Sequence, residues 1–253
     1  MIKHDRLGKE SYNNFGSKII ITKYNNKRDI DIYFPEYNWT TKNRQYSSFE
    51  TGTVKCPYEP RAWGHGYLGE GKYTFFKDKK PTKCYEAWSN MLSRCFNDKR
   101  KKTFPTYKNC IISDEWLNYQ NFAKWFEENY YEIDGDYMCL DKDILIKNNK
   151  IYSKDTCLIV PNFINVIFTN HKLARGKYPV GVTYHKRDKI YEAKINKFGK
   201  NIYLGRFDNE IDAFYSYKKE REKYIKEVAE LYKDKIPLKL YNAMYDYKVE
   251  ITD

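Results

Sequence analysis

Between Tyr137 and Phe168 the chain sets acids, a lysine and an asparagine at spacings suited to phosphodiester chemistry. Leu140-Asp141-Lys142-Asp143-Ile144-Leu145 reads as a strand carrying closely spaced carboxylates. Asn148-Asn149-Lys150 turns the chain, Ser153 to Cys157 leads into a second strand, and Pro161 to Phe168 predicts a short helix presenting Asn165. A strand–loop–strand–helix that brings a carboxylate near an asparagine can hold one divalent cation against a phosphodiester. The cation neutralises the charge that develops and lowers the pKa of a bound water.

A second group of residues, from Tyr178 to Tyr232, suits binding rather than catalysis. Tyr191, Ala193 and Ile195 alternate with Glu192, Lys194 and Asn196, the period of a half-buried strand. Asn196-Lys197-Phe198-Gly199-Lys200 supplies a hairpin turn, and Asn201 to Phe207 returns as the partner strand. Asp208 offers an N-cap, after which Ile211, Phe214, Tyr217, Ile225, Val228 and Tyr232 recur at helical spacing. That helix is expected to cover Ala193, Ile195, Ile202, Leu204 and Phe207. The opposite face is left bare and basic, a surface matched to the DNA major groove.

The elements that position these groups divide the chain into three parts and a tail. Residues 1–80 read as a small β-rich domain: Ile19-Ile20-Ile21, Ile30 to Phe34 and Thr53-Val54 carry strand patterns. Lys77 to Pro81 reads as a linker. Residues 81–170 begin with a helical stripe of Tyr85, Trp88, Met91, Leu92 and Cys95. A second stripe follows, of Trp116, Leu117, Phe122, Trp125 and Phe126, ahead of the acid-bearing segment. Residues 171–235 hold the sheet and its helix; Pro237 breaks that helix, and 236–253 form a tail. The fold class is therefore α+β.

Composition agrees with a polyanionic partner. The 253 residues carry a formal net charge of +12. Aromatics make up 18% of the chain and tyrosine dominates them, so the core is expected to be aromatic-rich, with tyrosines left to stack at a surface. No apolar run approaches membrane-spanning length and the N-terminus lacks a signal-peptide core, so the expectation is a soluble, cytoplasmic protein with no membrane partner. Six widely spaced cysteines without a CxxC pair predict free thiols, not zinc or a disulfide framework.

Gly64-His65-Gly66-Tyr67-Leu68-Gly69 fits a dinucleotide-loop pattern, but no helix start follows it, and a flexible, DNA-proximal or turn-forming glycine loop is the expectation. His4, His65, His171 and His185 show no metal spacing; His171 lies just beyond the Asn165 helix. Asp134 and Asp136 flank Gly135 in a turn that lacks the other positions of a calcium loop.

Two stretches resemble known families. Gly181-Val182, Tyr191-Glu192-Ala193-Lys194-Ile195 and Tyr203-Leu204-Gly205-Arg206-Phe207-Asp208, with Ala213 and Tyr217 in the helix, resemble the AP2 DNA-binding domain. That family lays its sheet in the major groove. By matching position the resemblance makes Thr183, Lys194, Asn196, Asn201 and Tyr203 the groove readers. His185 faces the same way, and Lys186, Arg187 and Arg206 complete the set expected to touch DNA. Where plant members carry arginines and tryptophans, this chain has Thr, Asn and Tyr.

The Tyr137–Phe168 segment resembles the HNH, or ββα-metal, nuclease motif. Tyr85 to Cys95, Pro105-Thr106-Tyr107, Glu115-Trp116-Leu117 and Asn121 to Trp125 add similarity to phage proteins described as HNH homing endonucleases. The resemblance implies Asp141 and Asn165 as ligands of Mg²⁺ or Mn²⁺. In those enzymes a histidine that activates the nucleophile follows the aspartate; here Lys142 stands in its place. A lysine normally stays charged to about pH 10. Lys142 serves as a base only if its surroundings depress that value strongly. As an ammonium it clamps a phosphate and leaves deprotonation to Asp143 or to water on the metal. The resemblance thus implies a duplex-binding endonuclease; the alternative is a catalytically silent DNA-binding regulator or an inhibitor of a host protein.

Overall fold

The computed structural model describes residues 6–169 and 177–253. The chain is α+β and forms two compact units. The first runs through Glu128 and includes Lys150–Lys154; the second comprises Asn129–Asn149 and Asp155–Asp253.

The first unit opens with an antiparallel meander of β1 (Glu10–Tyr12), β2 (Lys18–Asn26), β3 (Asp29–Phe34) and β4 (Trp39–Arg44). Strict alternation along β2 and β3 puts Ile19, Ile21, Ile30, Ile32 and Phe34 on one face. They are fully buried there with Tyr46 and Phe49 of α1 (Tyr46–Glu50). Each such aliphatic side chain contributes roughly 1.5–3 kcal/mol on burial, enough to fix the register of a small sheet. Asn13 ties the sheet to the following loop through Val54 O (3.1 Å) and through the Glu59 carboxylate, which in turn pairs with Arg61.

The stretch Lys77 to Pro81 is a tight hairpin, not a linker: β5 (Phe76–Lys77) pairs with β6 (Lys80–Pro81), and Asp78 and Lys79 take positive φ to close it. The glycine loop before it turns without starting a helix; Ala62 bridges Gly66, and Gly64 and Gly69 have φ of 73° and 67°. Helix α2 (Lys83–Phe96) starts at Thr82, whose hydroxyl accepts from Tyr85 N at 3.2 Å. Of its predicted stripe it buries Trp88, Met91, Leu92 and Cys95, while Tyr85 is half-buried.

After α3 (Asp98–Thr103) and β7 (Ile111–Ile112), the second aromatic stripe divides into α4 (Asp114–Leu117) and α5 (Tyr119–Asn129). The chain breaks at Asn118, which is extended, because its side chain accepts from Gln120 N and opens a new helix start. Trp88 Nε1 donates to Trp116 O at 2.8 Å and fastens α2 to α4.

β9 (Ile151–Tyr152) belongs to the first unit and pairs there in parallel with β7, whereas β8 (Met138–Asp141) opens the second unit. β8 itself pairs antiparallel with β10 (Leu158–Pro161), and α6 (Asn162–Phe168) follows at once. The three-stranded sheet of β11 (Val182–His185), β12 (Ile190–Lys197) and β13 (Lys200–Phe207) comes next, then α7 (Glu210–Tyr232) and α8 (Leu238–Tyr245). The N-cap of α7 is Asn209 rather than Asp208: its side chain accepts from Asp212 N at 2.9 Å. An asparagine caps as well as an aspartate, and the last extended residue decides which of the two is used.

One core unites this unit. Ile144, Val160 and Ile164 share it with Ile195, Phe214, Ile225 and Val228, and with Leu240, Met244 and Val249. The sequence-based boundary at residue 170 thus falls inside a shared core. Residues 236–253, expected as a tail, supply buried side chains to it. The sequence expects Pro237 to break the helix, but α7 already ends at Tyr232, and Pro237 stands instead at the N-cap of α8. No helix among the described residues is long and apolar enough to cross a membrane, and the cysteines carry free thiols.

Candidate nucleic-acid interface

The sheet of the second unit is built so that one face is covered and the other is open. Ala193 and Ile195 are buried beneath α7, with Ala213, Phe214 and Tyr217 above them. Leu204 and Phe207 are half-buried, whereas Ile202 is 39% exposed, since β13 is an edge strand and Ile202 sits near its hairpin end. Gly181 enters the sheet with φ of 77°, and a Cβ there would collide with the Tyr217 ring. The glycine therefore answers both a backbone conformation and a close approach. Phe198 and Gly199, with φ of 50° and 78°, form the two-residue turn between β12 and β13. Phe198 is held in that unfavourable conformation by rings at 5.1 Å (Tyr224) and 6.0 Å (Phe163).

Pairing across the open face puts Thr183 opposite Glu192 and Glu192 opposite Arg206; beyond a bulge, Lys194 faces Tyr203 and Asn196 faces Asn201. Thr183, Lys194, Asn196, Asn201, Tyr203 and Arg206 are all exposed, and His185 is half-buried. Lys186 and Arg187 stand exposed in the turn between β11 and β12. Asn196 is engaged within the hairpin itself: Oδ1 accepts from Gly199 N at 3.1 Å, and Nδ2 donates to Asn201 Oδ1 at 3.2 Å.

At the centre of this cationic face lies an acid that sequence reasoning left without a role. The Glu192 side chain is only 7% exposed, and a side-chain nitrogen from each strand faces its carboxylate. His185 Nε2 of β11 lies at 3.5 Å and Arg206 Nε of β13 at 3.9 Å, while Lys194 of β12 makes the tightest pair. The Lys194 hydrogen bond, aided by the charges of His185 and Arg206, holds the carboxyl below its usual range against the effect of burial. The signal was present in the alternation, because a lone glutamate on the lysine-bearing face of a central strand has cross-strand neighbours on both sides.

The acid-bearing segment forms the expected strand, loop, strand and helix, but β8 ends at Asp141. The reason is local. Asp141 Oδ1 accepts from Asp143 N and Ile144 N, each at 2.8 Å, and curls the backbone out of the sheet. Burial pushes the Asp141 carboxyl upward, and those two N–H donors oppose the push. Lys142 is buried. Its Nζ donates to both carboxylate oxygens of Asp143 at 2.7 Å and to Asn149 O at 2.6 Å, while Asn149 Nδ2 donates back to Lys142 O at 2.9 Å. Asn165 is half-buried on α6, and its backbone carbonyl accepts from the Thr169 hydroxyl at 3.0 Å.

As a metal site this donor set is sparse. Both oxygens of Asp143 face an ammonium, and one oxygen of Asp141 already accepts two N–H groups. Among the described residues no group of three His, Cys, Asp or Glu is arranged to hold a cation. His4 and His171 lie outside the described residues. Compared with family models, curated proteins and solved structures, the chain matches none.

Proposed function

We propose that this chain binds duplex DNA through the open face of β11–β13, in the manner of an AP2-like sheet laid in the major groove. The observation that carries the reading is the array of exposed donors contributed by all three strands of a sheet whose other face is covered by α7. Adjacent strands lie about 4.8 Å apart, so three span about 10 Å between outer axes. The major groove is about 12 Å wide. Lys186, Arg187 and Lys194 supply phosphate contacts, while Thr183, Asn201, Tyr203 and Arg206 face the base edges.

Fluorescence anisotropy with duplex oligonucleotides tests this. Binding should weaken steeply as salt rises, because each neutralised phosphate releases counterions. Undetectable affinity for any duplex at low salt defeats the proposal.

A second reading, an HNH-like metal-dependent endonuclease, is favoured by the antiparallel β8–β10 pair leading directly into α6 with Asp141 at a strand end. Asp141 and Asn165 would hold the cation, and the cation would supply charge neutralisation at the phosphodiester. Lys142 already has three acceptors within its own loop, so its role in this chain is to brace that loop. Plasmid nicking with Mg²⁺ or Mn²⁺, lost in both Asp141→Ala and Asn165→Ala while duplex affinity persists, supports the nuclease. Firm duplex binding without cleavage in either metal supports the silent binder.

A further inference from the structure

A buried carboxylate in the middle of a DNA-facing sheet is at odds with simple attraction to phosphate. Every negative charge on such a face opposes the ligand, so the position calls for a physical reason. The reason lies in what the carboxylate holds. Glu192 sits low, 7% exposed, and the heads around it stand higher, with His185 40% and Lys194 and Arg206 each 54% exposed. The nitrogen that Arg206 turns toward Glu192 is Nε. Its two terminal nitrogens make no hydrogen bond among the described residues and remain as a planar fork. A guanidinium fork held from behind matches the O6 and N7 acceptors of guanine bidentately.

We infer that Glu192 is a positioning residue: it touches no DNA and fixes Arg206 to read a guanine edge, which gives the face a base preference that mere charge does not. The inference rests on the DNA-binding reading above. It makes a prediction opposite in sign to electrostatics alone. Glu192→Gln removes a negative charge from a surface meeting a polyanion, so bulk attraction rises; loss of the carboxylate releases the Arg206 fork, so discrimination falls.

The test selects a preferred duplex from a pool with a randomised centre, using wild type, and measures affinity for it and for a scrambled duplex. Glu192→Gln should lower the preferred-to-scrambled ratio about ten-fold, within the range set by one bidentate base contact. Its affinity for the scrambled duplex should stay the same or rise. Replacing the preferred duplex's guanines by 7-deazaguanine, which lacks the N7 acceptor, should weaken wild type and leave Glu192→Gln nearly unaffected.

Should Glu192→Gln fail to fold, Arg206→Lys answers instead, since it keeps the charge at an exposed position and removes the fork; the same loss of ratio is expected. An unchanged ratio in either folded variant overturns the inference, as does a wild type that binds all duplexes alike. A wild type that binds no duplex overturns the DNA-binding reading itself, a result separable from the other two.

Discussion

The Lys142 ammonium lies 2.7 Å from each carboxylate oxygen of Asp143, the next residue in the chain. Adjacent side chains on a strand point to opposite faces and do not meet in this way. They meet here because Asp141 has already turned the backbone by accepting Asp143 N and Ile144 N. The loop between β8 and β9 is thus fastened from inside by Lys142.

Lys142→Met tests that bracing role. It keeps the aliphatic stem but leaves Asp143 and Asn149 O without their cation. Asp143 is 47% exposed and can be rehydrated, so the loss should be about 1–3 kcal/mol and not the full penalty of a broken buried pair. For a chain of this size each kcal/mol corresponds to about 2–4 °C in Tm. Calorimetry should therefore show a fall of several degrees, while duplex affinity stays within about two-fold of wild type.

Gly181→Ala should destabilise more sharply. The substitution meets two obstacles, a φ of 77° and the Tyr217 ring. The first costs about 1–3 kcal/mol by itself, and the second adds to it unless the ring moves. In a double-mutant cycle with Tyr217→Ala the ring term should vanish and the backbone term persist, giving non-additivity of about 1 kcal/mol or more. Simple additivity in urea denaturation excludes the contact.

These two sites show what the sequence made legible. Alternation in β12 and helical spacing in α7 reveal the sheet and its cover, since each repeats one physical requirement over several residues. The Gly181 requirement is visible only as a residue type; the ring that demands it is far along the chain. The shared core of the second unit was not legible. Ile144 and Val160 have the same apolar character whichever neighbour they bury against, and Leu240 and Met244 follow a proline that marks a helix end as readily as a start. Glu192 was legible by face but not by partner, because His185 and Arg206 reach it only through strand pairing.

Lys186→Ala and Arg187→Ala should weaken duplex binding uniformly across sequences. Both side chains stand exposed in the β11–β12 turn, where the proposed docking would bring backbone phosphates within reach. Each substitution should reduce the slope of log K against log salt by about one and leave the ranking of duplexes unchanged. Asn196→Ala should behave differently. Its amide serves the hairpin, so about 1 kcal/mol of stability is lost through the turn, with little change in the salt slope.

Asp141 carries a pH signature of its own. Burial raises its folded pKa above the ordinary value of 3.8, so over that interval the folded state holds the proton more firmly than the unfolded one. By linkage, stability from this group is greatest in acid and declines as pH rises from about 3.8 through the folded pKa, beyond which the penalty is constant. Asp141→Asn keeps an oxygen to accept the two backbone N–H groups and never ionises. The variant should exceed wild type in stability at neutral pH, and the advantage should shrink as pH falls through the raised folded pKa toward about 3.8. Added Mg²⁺ separates the two functional readings in the same experiment. A cation held by Asp141 and Asn165 stabilises wild type by mass action and narrows its gap to the variant; a purely structural aspartate leaves the gap where it stood.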